Sequence, residues 1–154
     1  MNTTFKSLLF IICFTIASHL FAAPSDNDVY STDAEHASYK LAIAAINQKS
    51  YGEAISHLDT VAKEEPDNAD AYNMLGYSHR KLKNYETAER YYNKALAINP
   101  KHKGALEYQG ELYVETQRMA LAKENLSKLD DICWISCKEL TLLKSKIEEA
   151  EDEN

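Results

Sequence analysis

The sequence predicts an all-α chain built as a helical-repeat superhelix, and three observations carry that reading. Residue types recur every 34 positions: Leu41 falls on Leu75, Tyr51 on Tyr85, Ala54 on Ala88 and Pro66 on Pro100. A second step of the same length places Gly76 on Gly110, Ala88 on Ala122 and Ala95 on Leu129. A fixed period of this length marks stacked supersecondary units. Glycine and proline number only four and three in 154 residues, too few for a many-turned β-sandwich and suited to helices. The chain is 45% hydrophobic and 27% charged, the balance of a folded protein. This length fits one domain that buries roughly two-thirds of the surface its unfolded form exposes.

The central copy, Ala69 to His102, carries Tyr72, Leu75, Gly76, Tyr85, Ala88, Tyr92, Ala95 and Pro100. In that order and spacing these residues resemble the tetratricopeptide repeat, with His79 standing where a tyrosine is usual. The first copy keeps Leu41, Tyr51, Ala54, Leu58 and Pro66, but has Ala42 at the glycine position and Ser38 at the first aromatic one. The third keeps Gly110, Tyr113 and Ala122, has Gln109 where leucine is expected, and lacks the closing proline. Weakened outer copies are normal at the ends of a stack. The resemblance implies two antiparallel helices per copy, in repeats 35–68, 69–102 and 103–136. Gly76 and Ala88 are then expected to form the close helix contact, with Tyr72, Leu75, Tyr92 and Leu96 around it. Pro66 and Pro100 should end one repeat and open the next, since proline cannot continue a helix.

A stack also needs a solvating cap. Residues 137–150 supply one, with Leu140, Leu143, Ile147 and Ala150 on one face. The acidic tail from Glu148 to Asn154 is expected to fray, and 23–34 to form a polar linker. Ahead of it, Lys6 and the amino end are positive, Leu8 to Ala17 is apolar, and Ala22 and Ala23 precede Pro24. That is the layout of a cleavable signal peptide over 1–22. A membrane-spanning helix needs about 20 apolar residues, and His19 and Pro24 interrupt this run. A periplasmic or secreted location follows, with no membrane insertion after cleavage. Losing Lys6 leaves 16 basic against 24 acidic residues, net −8. That charge does not suit nucleic-acid binding, which rests on neutralising phosphates.

In tetratricopeptide-repeat proteins the first helix of each pair lines a concave groove that holds peptides or helices. Carried over by register, the groove positions are Tyr39, Ile43, Ile46 and Asn47, then Asn73, Tyr77, Arg80 and Lys81, then Glu107, Glu111, Val114 and Glu115. Tyr39, Ile43, Asn73, Tyr77, Arg80, Lys81, Glu107 and Glu111 are the partner-binding candidates. The groove would grade from apolar through aromatic and basic to acidic. Arg80 and Lys81 either grip a ligand or pair with Glu111 and Glu115 across the repeat boundary; exposed pairs of that kind contribute only about 0–1 kcal/mol. One member class grips chaperone carboxylate tails with a lysine and asparagines. Tyr39 and Ile43 stand where that grip would begin, so it is absent.

Removal of Cys13 with the signal leaves Cys133 and Cys137. A structural disulfide, a redox-active pair, a copper(I) or zinc site and a free dithiol all remain open. A disulfide here would staple the last repeat to its cap, contributing about 2 kcal/mol, and requires the helix to end or kink. Trp134 and Ile135 would then tuck beside Leu140 and Leu143. The mature histidines His36, His57, His79 and His102 do not cluster in sequence, and no catalytic triad, paired-carboxylate or glycine-rich phosphate motif is present. Asn125-Leu126-Ser127 is a glycosylation sequon. The sequence thus implies a non-enzymatic, cofactor-free module binding a protein or peptide. The alternative is a redox or metal-handling accessory protein using Cys133 and Cys137.

Overall fold

A computed structural model describes the fold over residues 27–152; the stretch 1–22, expected from the sequence to be a signal peptide, lies outside the described residues. Seven helices run in order: α1 (Asn27–Asn47), α2 (Tyr51–Glu64), α3 (Ala69–Lys81), α4 (Tyr85–Ile98), α5 (Lys103–Glu115), α6 (Met119–Ile132) and α7 (Lys138–Asp152), with no strand among the described residues. The bounds of α5 and α6 repeat those of α3 and α4 after 34 residues. Helices pair as α1–α2, α3–α4 and α5–α6, successive pairs stack, and α7 packs on both α5 and α6. The chain is an all-α helical-repeat superhelix.

The period extends into the backbone. Lys49, Lys83 and Gln117, spaced at the repeat length, all sit at positive φ, between 60° and 63°. At each, the next residue's N–H reaches back five residues and its own N–H reaches back three: Asn84 to His79 and Lys83 to Arg80, Ser50 to Ala45 and Lys49 to Ile46, Arg118 to Tyr113 and Gln117 to Val114. This is the Schellman closure of a helix, which satisfies carbonyls that the last turn would leave bare. The opposite turns repeat as well. Asn68 Oδ1 accepts the Ala71 N–H at 2.8 Å, capping α3. One period on, His102 Nδ1 accepts the Ala105 N–H at 3.2 Å, capping α5, while its Nε2 lies 3.0 Å from Asp70 Oδ1.

The tightest approach to Gly76 is made by an aromatic ring. A Cβ on Gly76 would stand 2.6 Å from the Tyr92 ring, so the glycine makes room for a fully buried aromatic. Ala88 is also fully buried, but it lies within the second core cluster beside Tyr92. A Cβ on Gly110 would meet Leu143 at 2.5 Å, so the third repeat's glycine seats the cap. The core forms two clusters. One joins Ala42, Leu58, Val61, Ala71 and Leu75; the other runs from Ala88 and Tyr92 through Leu106 and Leu112 to Leu143 and Ile147.

Three further expectations change. The supposed linker is helical from Asn27, because no glycine or proline between Ser25 and Gln48 halts α1. The acidic tail continues α7 to Asp152, held by Lys123–Glu151 at 2.6 Å and by the neighbouring pairs Lys146–Glu149 and Lys144–Glu148. Leu41 is 52% exposed although its counterpart Leu75 is buried, since none of the described helices covers it. Trp134 and Ile135 are 97% and 92% exposed and do not enter the seam, where Leu143 and Ile147 already fill the space against α5 and α6. Gln109, standing in place of leucine, is buried because its amide joins Asn93 Oδ1 at 2.7 Å to Asn125 Nδ2 at 3.0 Å. Asn125 also donates to the Leu106 carbonyl, so the sequon asparagine is buried and committed inside the fold.

A left-handed conformation costs an ordinary L-residue roughly 1–2 kcal/mol, and glycine avoids it. Lys83→Gly should therefore stabilise the fold by about 0.5–1 kcal/mol, read as a rise in the urea midpoint with unchanged slope.

Candidate partner-binding groove

The candidates stand on the first helices of the pairs, α1, α3 and α5, with α3 touching α5 and α5 touching α7. The end of α3 places Tyr77, Arg80 and Lys81 close together, with Tyr77 and Arg80 on the side that meets α5. Arg80 is 2% exposed. Its Nη1 donates to Glu115 Oε1 at 2.5 Å, and its Nη2 lies 2.5 Å from Glu111 Oε2. The two carboxylates are one helical turn apart on α5, so a single forked guanidinium meets both. The Tyr77 and Tyr108 rings flank it, their centroids 5.7 and 5.8 Å from Arg80 Cζ. The buried Tyr92 hydroxyl also lies near enough to favour the guanidinium's charge. Burial alone would lower the Arg80 pKa; Tyr92, Glu111 and Glu115 outweigh it and raise it, so the charge is locked on. Of the two readings of Arg80, the structure makes the internal pair: Nη1 is hydrogen-bonded to Glu115, while Nη2 is ion-paired with Glu111. Lys81 remains exposed, its Nζ 5.2 Å from the Tyr77 ring.

The aromatic run extends both ways from Tyr77. Tyr51, at the start of α2, meets it edge-on at 6.2 Å, and Tyr108 lies tilted against it at 5.0 Å. Burial raises the Tyr77 pKa; Tyr108 is pushed up to about 12, by burial first and then by Glu107. Both rings therefore keep neutral hydroxyls. On α1, Tyr39 and Ile43 are half-buried, and Tyr39 packs on the first core cluster. Asn73 is buried, and its Oδ1 has no hydrogen-bond partner. Glu107 is also buried, near Glu111 on its own helix and near Lys138 and Glu139 at the start of α7. Its carboxyl is pushed up to about 7, chiefly by burial, then by Glu111 and Glu139, against the pull of Arg80 and Lys138.

Of the eight candidates, Tyr39, Ile43, Tyr77, Lys81 and Glu111 keep accessible surface, while Asn73, Arg80 and Glu107 are buried. Register on an isolated helix places a residue on a face, but the depth of that face depends on how the next pair leans against it. Tyr51 and Tyr108 were missed because they fall outside the transferred positions; an aromatic next to Glu107 was the available signal. The sulfurs of Cys133 and Cys137 are joined, with Cα atoms 5.7 Å apart, and α6 ends at Ile132 to allow it. No group of three or more His, Cys, Asp or Glu side chains among the described residues is placed to hold a metal ion. No helix among them is long and apolar enough to cross a membrane. His79 stacks on Tyr91 at 5.4 Å, a packing role, and burial lowers its pKa.

Two outcomes follow from these charges. Arg80→Ala would leave a cavity beside Tyr77 and Tyr108 and release two carboxylates that still reach water, so the urea midpoint should drop by the equivalent of about 1–3 kcal/mol. Glu107 has a folded-state pKa above its unfolded value. The folded chain thus binds the proton that the unfolded chain has released. Its contribution is full below about pH 4.5 and is lost as pH climbs through about 7. Denaturation across that window should show stability falling with pH, and Glu107→Gln should flatten the fall.

Comparison with known proteins agrees with this geometry. The sequence profile described as "Tetratricopeptide repeat" matches residues 39–103 and 84–126. The chain is 34% identical over 74 residues to DnaJ protein P58IPK homolog A of Oryza sativa subsp. japonica, covering 48% of this chain and 16% of that protein. It therefore spans about a sixth of that relative's length. The Yersinia enterocolitica type III secretion translocator chaperone SycD superposes with a TM-score of 0.71 at 18% identity, over 79% of this chain and 94% of that one. The first tetratricopeptide domain of Spaghetti (RPAP3), bound to the HSP90 peptide SRMEEVD, gives 0.68 at 21% identity over 78% and 94%. With the period, the helix pairs and the repeated turns all in place, and the profile covering more than half of the sequence, the chain belongs to the tetratricopeptide repeat family.

Proposed function

We propose that this protein is a non-catalytic binding module that holds a peptide, or a segment of a partner protein, in its concave groove within the cell envelope. The observation that carries the reading is the run of Tyr51, Tyr77 and Tyr108 braced by the buried Arg80. Rings fixed from beneath present a rigid, half-exposed surface, and amphipathic rings of this kind dominate recognition surfaces because little side-chain freedom is lost on binding. The RPAP3 domain holding an HSP90 peptide supports a peptide as the class of ligand. The ligand here is not a carboxylate tail of that kind. Tyr39 and Ile43 offer no cation, and the charge on Arg80 is already spent on Glu111 and Glu115. Lys81 and the accessible flank of Glu111 supply polar contacts at the rim. Export by a cleavable segment over 1–22 places the partner outside the cytoplasm, and the Cys133–Cys137 bridge then serves as a staple between the last repeat and its cap.

The test is capture and crosslinking of a binding partner from envelope extracts by the exported chain. Tyr77→Ala combined with Lys81→Ala should abolish capture while lowering stability by about 1 kcal/mol, since both side chains keep water contact. Capture that survives in this variant would remove the groove as the site.

A further inference from the structure

Helix α5 carries Glu107, Glu111 and Glu115 at intervals of four, so three carboxylates line one face. Like charges at that spacing repel, and a carboxylate withdrawn from water needs a cation or a donor. Arg80 meets two of them, Glu111 and Glu115. Glu107 is met by none. It is buried, at 5% exposure, and among the described residues its carboxylate makes neither a hydrogen bond nor an ion pair. A buried acceptor without a partner is rare in folded proteins, because its lost hydration goes uncompensated. The charges around Glu107 are Glu111 on its own helix, Arg80 on α3, and Lys138 and Glu139 at the start of α7. Arg80 is fixed on the other two carboxylates of α5, and Lys138 stays exposed, paired with neither Glu107 nor Glu139. The most deeply buried carboxylate of the group is thus one that no cation holds. The tyrosine run ends beside it. Tyr108 follows Glu107 on α5, close enough for that charge to raise its pKa, and its ring lies 5.0 Å from that of Tyr77. Both rings are half-buried and already accept cations, Arg80 beside both and Lys81 Nζ 5.2 Å from Tyr77.

We propose that the segment held in the groove is basic, and that it presents a lysine whose stem lies along Tyr77 and Tyr108 and whose ammonium pairs with Glu107. This rests on the groove being the peptide site and adds the chemistry of its ligand. A compact ammonium suits a single carboxylate in a closed-in position, whereas a guanidinium is best met by two acceptors in one plane. The lysine stem is apolar and covers ring surface while its charged end reaches past it. A neutral segment would leave Glu107 without a partner, and an acidic one would add to the carboxylates already gathered there. The pairing is also linked to protons. Burial first, then Glu111 and Glu139, push the Glu107 carboxyl up to about 7, against the pull of Arg80 and Lys138. A bound ammonium favours the charged form and lowers that value, so binding near pH 7 expels a proton.

The experiment compares acetylated, amidated nonapeptide pools, randomised apart from a central lysine, norleucine or glutamate, for retention by the immobilised oxidised chain. The lysine pool should be retained about tenfold more strongly than the norleucine pool, and the glutamate pool least. Glu107→Gln should erase the lysine preference while the norleucine pool binds as before. Glu139→Lys sets a fixed cation near Glu107 without altering α5 and should reduce the preference. Both variants should keep their helicity by circular dichroism. Calorimetry of the best-retained lysine peptide at pH 7, in buffers of different ionisation enthalpy, should show proton release from the unaltered chain and none from Glu107→Gln. Equal retention of the lysine and norleucine pools overturns the proposal and leaves the groove standing as a peptide site. A lysine preference undiminished in either variant, or binding without proton release, also overturns it and assigns the preference to the overall negative charge of the chain. Retention of no pool overturns the proposal and the groove reading together.

Discussion

A guanidinium withdrawn from water must be met by carboxylates, and that constraint organises the middle of this protein. Arg80 leaves the end of α3 and finds Glu111 and Glu115 on α5, so the second and third repeats are tied through one buried fork rather than through apolar contact alone. Removing a charge from water is expensive, and the geometry that repays it tolerates little displacement. The relative lean of α3 on α5 is thereby narrowed, and with it the spacing of Tyr77 and Tyr108, whose rings flank the same guanidinium. The proposed binding surface is in this sense a by-product of an internal ion pair. Its stiffness follows from the burial of the charge beneath it.

The ends of the stack obey a different rule. A helix pair cannot cover its own apolar face, so each end must be covered or left wet. At the first repeat it is left wet, and Leu41 shows solvent half of what its counterpart Leu75 hides. At the last it is covered by α7, whose Leu143 enters the space that Gly110 leaves open. The same glycine position is used for two purposes. In the second repeat it admits the rigid Tyr92 ring from its own pair, and in the third it admits the flexible tip of a leucine from the cap. The polar chain Asn93–Gln109–Asn125 sits nearby, where leucine would be usual, and remains tolerable because each amide finds a partner.

Two surfaces therefore differ in origin. The tyrosine run is held from beneath by packing and charge, whereas the Trp134–Ile135 tip is held only by the covalent bridge across its base.

Local chemistry by itself determined the period, the helical class and the places where helices stop. Those depend on residue type at fixed spacing: Pro66 and Pro100 at the repeat boundaries, Asn68 as a cap, small residues at Gly76 and Gly110, and an apolar face on α7. The turns at Lys49, Lys83 and Gln117 show the limit of such reading, since nothing about lysine or glutamine announces a left-handed residue; closure of the helix pair imposes it. Depth was likewise decided only in three dimensions. Arg80 and Lys81 are neighbours in sequence with the same charge, yet one is sealed and the other exposed. Their fates diverge because α5 leans over one side of α3 and leaves the other open. Asn125, Glu107, Trp134 and Ile135 follow the same logic. A residue's face is fixed by helical geometry, but what covers that face is fixed by the neighbouring pair, and that neighbour is set by packing over the whole stack.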